Sequence, residues 1–187
     1  MGLRNKYSSD NPAYALRPDM RFVFSHPAHA VALFFGAGVL RPGPGTWGTL
    51  AGVAVWVGLV QFLDWRALVA LILATFVLGV WASQKTGEDL GVEDAGCIVI
   101  DEVVAVWIVC LIFPQNWVCW AASFVAFRIF DIVKLPPASL IDEKMHSGLG
   151  VMLDDLLAAV WAVAALLLLD WTLAKVFEKS MAFLGVF

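Results

Sequence analysis

Five carboxylic acids stand at the ends of apolar runs in this chain. Asp101 and Glu102 open one run, Asp131 closes the next, and Asp154 and Asp155 open a third. A carboxylate inside a hydrocarbon layer costs a few kcal/mol unless it meets a partner, a cavity or a cation. Five in one place cannot all stay ionised without a counter-charge. A hard divalent ion with oxygen ligands, such as Mg²⁺, is the economical one. Glu102, Asp131 and Asp155, with Asp101 and Asp154, are therefore candidate metal ligands and catalytic groups. Acidic residues near a helix N-terminus can also simply complement the helix dipole. That accounts for either doublet alone, but not for Asp131, which closes a run where the dipole disfavours it.

The polar residues around these acids suit a phosphate. Arg128 lies three residues before Asp131, so the two share a helix face. They form either an intrahelical ion pair or a pair of roles, Arg128 on a phosphate and Asp131 on the metal. Lys134 continues toward the same surface, as a second phosphate ligand or as a snorkelling interfacial lysine. The stretch Gly43-Pro-Gly-Thr-Trp-Gly-Thr49 enters an apolar run. Free N–H groups at a helix N-terminus attract anions, and glycines let a phosphate approach the backbone. Thr46 and Thr49 there can cap the helix or donate to a phosphoryl oxygen. His146 is a candidate general acid or phosphate donor, though a lone loop histidine is more often neither. The chemistry this set points to is metal-assisted hydrolysis of a phosphomonoester.

The elements that must position these groups are helices in lipid. Of the 187 residues, 61% are hydrophobic and 15% charged, and mean hydropathy is +0.82; soluble proteins are roughly 45–50% apolar. Spans are expected over 49–63, 67–82, 97–113, 117–133 and 151–169. Tight punctuation separates them: Asp64-Trp-Arg66, a polar loop over 83–96, Pro114, Pro136-Pro137, and a polar loop reaching Gly150. The run 28–40 would reach only about 20 Å as a helix, short of a ~30 Å hydrocarbon core, so it reads as a re-entrant or interfacial segment. Two prolines and three glycines over 41–48 argue against a continuous helix there. The expected fold is thus an all-α integral membrane bundle of about five short spans, a single domain over 1–187. A polar region (1–27) precedes it, and an interfacial tail (170–187) follows.

Charge sets the orientation. With five spans, Arg4, Lys6, Arg17, Arg21, Arg41, Lys85, Lys134 and Lys144 share one side, and Arg66, Lys175 and Lys179 the other. The positive-inside bias places the first side, and with it all five acids, in the cytoplasm. Tryptophans 47, 65, 81, 117 and 171 fall near span ends, as an aromatic belt requires. The net charge of −4 and scattered basic residues imply no nucleic-acid partner. Cys97, Cys110 and Cys119 lie in or beside apolar runs without disulfide or metal-ligand spacing, and read as small buried apolar residues. The N-terminal stretch lacks the apolar core of a secretory signal, and Lys6 stands where a myristoylation motif wants Ser or Thr.

Four motifs together carry a resemblance. Phe35-Gly-Ala-Gly38 with Pro44-Gly-Thr-Trp-Gly-Thr-Leu50, Ile100-Asp-Glu102, Phe127-Arg-Ile-Phe-Asp131 with Lys134, and His146-Ser-Gly-Leu-Gly-Val-Met-Leu-Asp-Asp155 resemble the bacterial phosphatidylglycerophosphatase A family, in order, from about Phe34 to Ala159. The resemblance implies Mg²⁺-dependent removal of the terminal phosphate of phosphatidylglycerophosphate, giving phosphatidylglycerol, in the bacterial inner membrane. It carries over to Thr46, Asp101, Glu102, Arg128, Asp131, Lys134, His146, Asp154 and Asp155, and also to Asp89 and Asp94. Leu135 and Ser147 depart from the family pattern beside these positions. The attacker is either activated water, which the absence of an Asp-x-Asp signature favours, or an aspartate forming a phosphoenzyme. The alternatives are a phosphatase for another lipid or polyprenyl phosphate and a small cation- or proton-coupled transporter, which would place its acids at the bilayer midplane.

Overall fold

Capping residues explain most of the helix ends. A computed structural model describes residues 16–92, 94–133, 135–136 and 147–183, and these contain helices and loops but no strand. Asp19 caps α1 (Met20–Val23) by accepting from the Phe22 amide, and His26 caps α2 (Pro27–Ala32) through Nδ1. A 3₁₀ segment, Phe34–Val39, follows, with Phe35 and Gly36 in left-handed backbone that breaks the helix. The run 28–40 is therefore a broken, partly buried segment rather than one rod. α3 (Pro44–Leu59) follows Gly43, whose φ of 69° is the left-handed value glycine tolerates best. Asp64 caps α4 (Trp65–Leu90), and Gly91 ends it in a left-handed turn. α5 (Ile100–Ile112) stops at Phe113, held extended by Pro114. Asn116 caps α6 (Trp117–Val133) by accepting from the Cys119 amide, and Ser147 accepts from Gly150 at the start of α7 (Gly148–Phe183).

α5 is the hub. Its buried residues, among them Val103, Val104, Ala105, Val106 and Trp107, point to every side, because α3, α4, α6 and α7 all pack on it. A helix apolar all round belongs in such a place. Close packing is bought by small residues on its neighbours: Cβ atoms at Gly48 and Gly52 would run into Val99 and Val103, and one at Gly79 into Met152 and Ile100. Trp107 donates its indole N–H to the Gly52 carbonyl at 2.8 Å, which satisfies the one polar atom it brings into the core.

Three expected boundaries differ. The loop expected over 83–96 is helical as far as Leu90, because polar residues do not end a helix; it runs through Gly87 and stops where Gly91 takes the left-handed turn. No helix is continuous over 41–48, as expected, but α3 starts at Pro44 rather than at residue 49: Pro44 takes the first helical position, which suits its missing N–H. The tail from Asp170 continues α7 to Phe183 without a break. Among the described residues, two helices are long and apolar enough to cross a membrane, α4 and the Gly148–Lys175 part of α7, with mean hydropathies of 2.0 and 2.1. α3, α5 and α6 have 16, 13 and 17 residues, so the expectation of about five spans stands at two by this measure. Large apolar residues lie exposed on α4 and α7, including Leu73, Val77, Val160, Leu167 and Leu168, and so do Trp47, Trp65, Trp81, Trp117 and Trp171.

At one end of α5, Gln115 ties three elements together. Its Oε1 accepts from Trp56 Nε1 at 2.9 Å and Trp120 Nε1 at 3.2 Å, and its Nε2 donates to the carbonyls of Cys110 and Phe113. Trp56 is fully buried. Gln115→Ala strands that indole N–H, and a loss of about 1–3 kcal/mol is expected. Thermal unfolding in detergent micelles checks it; an unchanged Tm would remove Gln115 from the account.

Candidate active site

The helix ends gather the acids. α5 and α7 bring N-terminal ends, α6 its C-terminal end, and α3 its first turn, so residues far apart in sequence line one cleft of about 180 Å³. That is below the ~300–1,000 Å³ of pockets that enclose a drug-sized ligand; it suits a headgroup phosphate rather than a whole lipid. Asp101, Glu102, Asp131, Asp154 and Asp155 all line it. The four aspartates are buried, with Asp155 only 3% exposed. α7 begins at Gly148, so Asp154 and Asp155 lie beyond its first turn, outside the reach of a stabilising dipole. Dipole complementation therefore does not explain them.

Arg128 organises the floor. Its Nη1 donates to Asp131 Oδ2 at 2.8 Å, to Glu102 Oε1 at 3.0 Å and to Thr49 Oγ1 at 3.3 Å. The intrahelical pair with Asp131 thus forms, and the same nitrogen reaches across to α5. Thr49 is buried and donates its hydroxyl to the Gly45 carbonyl at 2.8 Å. Of the two alternatives the sequence left for Arg128, the ion pair is the one seen here. Thr49 has its proton engaged by the Gly45 carbonyl and accepts from Arg128. Arg128 has one terminal nitrogen committed to carboxylates, while its Nε is buried without a hydrogen-bond partner. Asp101 Oδ1 accepts from the Glu102 amide at 3.0 Å, which fixes the doublet at the start of α5.

Gly43, Pro44 and Gly45 form the wall opposite. A Cβ at Gly45 would overlap Glu102 Oε1 and come within 3.1 Å of Arg128 Nη1. Only glycine lets the backbone lie this close to the acids. No side chain caps α3. Thr46, the other candidate on this turn, is exposed and does not line the cleft, so the backbone beside it, rather than its hydroxyl, faces the site. Lys134 and His146 fall outside the described residues. Asp94 lines the cleft, whereas Asp89 does not: it meets His29 Nε2 at 2.8 Å and pairs with Lys85, fastening α2 to the end of α4. Arg41, which the sequence reading used only for orientation, also lines the cleft. Its signal was its place just before the Pro-Gly-Pro-Gly turn that feeds α3.

The donor set has the chemistry of a hard-cation site. All five acids offer oxygen alone, and buried Asp155 Oδ2 has no hydrogen-bond partner although it faces a polar cleft. An orphaned carboxylate oxygen in such surroundings fits a cation ligand. Among the described residues, no three acidic, histidine or cysteine side chains are already drawn close enough to enclose an ion. The residues fit Mg²⁺ by type and burial, without a closed cage, and this ion keeps several waters in its shell.

Comparison with known proteins bears on the same residues. The phosphatidylglycerophosphatase A family profile matches residues 30–170. Phosphatidylglycerophosphatase A of Haemophilus influenzae is 44% identical over 139 residues, covering 74% of this chain and 85% of that protein. Phosphatidylglycerophosphatase A of Escherichia coli K12 is 39% identical over 141 residues, covering 75% and 81%. A protein of Bacteroides thetaiotaomicron, provisionally named a phosphatidylinositol-3-phosphatase, is 38% identical over 146 residues, covering 74% and 91%. No solved structure matches significantly. The matched span contains every described acid of the cleft together with Arg128 and the Gly43–Gly45 turn, and the chain belongs to the phosphatidylglycerophosphatase A family.

Proposed function

We propose that this chain is a multi-pass membrane enzyme that hydrolyses the terminal phosphomonoester of phosphatidylglycerophosphate to give phosphatidylglycerol, with its cleft at the cytoplasmic face. The observation that carries this reading is the meeting of five carboxylic acids from three helices with a buried arginine and a glycine-walled turn in one small cleft. Five membrane-embedded helices, α3 to α7, are the proposed topology, α4 and α7 being the long ones; the exposed apolar faces and tryptophans support contact with lipid. The substrate's acyl chains then stay in the bilayer while its phosphate reaches the cleft.

Glu102, Asp131 and Asp155, with Asp101 and Asp154, are the proposed holders of Mg²⁺. When bound, the ion neutralises phosphoryl oxygens and favours in-line attack. Arg128 keeps Glu102 and Asp131 apart at a fixed spacing, and Thr49 fixes Arg128. The backbone at Gly45 comes near enough to meet a phosphoryl oxygen. Water is the proposed attacker: its oxygen bonds to phosphorus as the phosphorus–oxygen bond to the glycerol breaks. His146 is the proposed donor of a proton to that departing oxygen, and Lys134 a proposed phosphate ligand. A second reading, the same chemistry on another lipid headgroup, is favoured by the Bacteroides relative.

The test is phosphate release by the purified chain in mixed micelles. The panel comprises phosphatidylglycerophosphate, phosphatidylinositol 3-phosphate and phosphatidic acid, each with Mg²⁺ and with EDTA. Release from phosphatidylglycerophosphate, abolished by EDTA and restored by Mg²⁺, is expected. Release from none of the lipids would discard the enzyme; release unchanged by EDTA would discard the metal.

A further inference from the structure

Among the described residues, two guanidinium groups line the cleft, and they differ in what holds them. Arg128 is largely buried at the floor and tied to Glu102 and Asp131. Arg41 is exposed at the rim, on the turn leading into α3, and its Nη2 donates to the Leu16 carbonyl at 2.8 Å. A backbone carbonyl orients that fork without neutralising its charge. The planar group is thus held in place with its positive charge available to an anion, the arrangement that suits bidentate recognition of phosphate.

The proposed substrate carries two phosphates. The terminal monoester is lost; the diester joining the headgroup glycerol to diacylglycerol remains on the product. With the monoester at the acidic floor, the diester must lie farther out, toward the rim. Resting on the activity proposed above, we infer that Arg41 binds this second phosphate and makes the enzyme selective for lipids that carry a diester between the scissile group and the acyl chains. Phosphatidic acid, whose only phosphate is a monoester, lacks this contact. The diester is unchanged by the reaction, so Arg41 holds substrate and product alike: it acts on binding rather than on the chemical step.

The experiment measures phosphatidylglycerophosphate hydrolysis by the full-length chain in detergent micelles, with phosphatidylglycerol added as competitor, for wild type, Arg41→Gln and Arg41→Lys. The glutamine variant is expected to raise both KM and the inhibition constant of phosphatidylglycerol about tenfold, the size of one hydrogen-bonded charge contact. Its kcat should stay within about twofold, and lysine should recover part of the loss. Unfolding temperatures equal to wild type establish that the variants are folded. A tenfold rise in KM with an unchanged inhibition constant would overturn the diester assignment, as would a fall in kcat alone or no change at all. A wild-type protein that releases no phosphate from this lipid would instead overturn the activity on which the assignment rests.

Discussion

Asp155→Asn is expected to lower Mg²⁺-dependent phosphate release by about 10²–10³-fold, the scale seen when one preorganised charge-stabilising group is removed. The residue is nearly inaccessible, its Oδ2 has no hydrogen-bond partner, and it shares the cleft with five other described acids. Nothing about its position favours a negative charge for the fold's own sake, since α7 began two turns earlier at Gly148. Asparagine keeps the shape and removes the charge. If the acid is there for a cation, activity falls while the fold is kept, and relief of repulsion among the acids leaves Tm equal or higher. Wild type should also gain thermal stability on adding Mg²⁺, because an ion that binds only the folded state stabilises it, and the variant should gain less. Activity assays and unfolding curves with and without Mg²⁺ check both halves. A folded Asp155→Asn protein with full activity would end the proposed ligand set.

The acids themselves were legible because apolar runs make a carboxylate conspicuous. α6 was read to the residue, since Pro114 and Pro136 bound it and Asn116 caps it. α4 was cut short because Ser83 to Leu90 is polar, and polarity reports contact with water rather than the end of a helix. The helix ends where Gly91 adopts a left-handed turn. The start of α3 was placed five residues late, at 49 rather than Pro44, because the glycines and prolines before it hid its first turn. Gly48 and Gly52 are in fact where α3 meets α5, a property of pairing that spacing alone does not display. The roles of Thr49 and Arg41 were hidden for the same reason. Thr49 meets Arg128 across 79 residues of sequence, and Arg41 reaches the cleft only because its turn folds back over α5. Sequence displayed which residues were chemically unusual; the packing of α3 on α5 determined which of them touch.

Arg128→Lys carries the second large effect, and it separates two readings of the same side chain. As an orienting group, the guanidinium holds Glu102 at 3.0 Å and Asp131 at 2.8 Å through a single nitrogen whose plane is fixed by Thr49. Lysine keeps the charge, but as a compact ammonium on a flexible stem of different reach it does not place one nitrogen where Nη1 holds both carboxylates at their present spacing. Loss of such a supporting contact to metal ligands lowers metal affinity or activity by about 10–100-fold. The expected result is a higher Mg²⁺ requirement together with a lower kcat. A phosphate clamp would behave differently: KM for the lipid would rise while the Mg²⁺ requirement stayed put. Arg128→Met goes further, because it leaves Glu102 and Asp131 buried without their shared cation, and a loss of about 3–5 kcal/mol in stability is expected. Titrating Mg²⁺ at saturating lipid, then lipid at saturating Mg²⁺, distinguishes the two roles in one protein. A lysine variant with wild-type Mg²⁺ dependence and wild-type kcat would show that the acids keep their spacing without Arg128, and its contacts to Glu102 and Asp131 would then be packing rather than part of the catalyst.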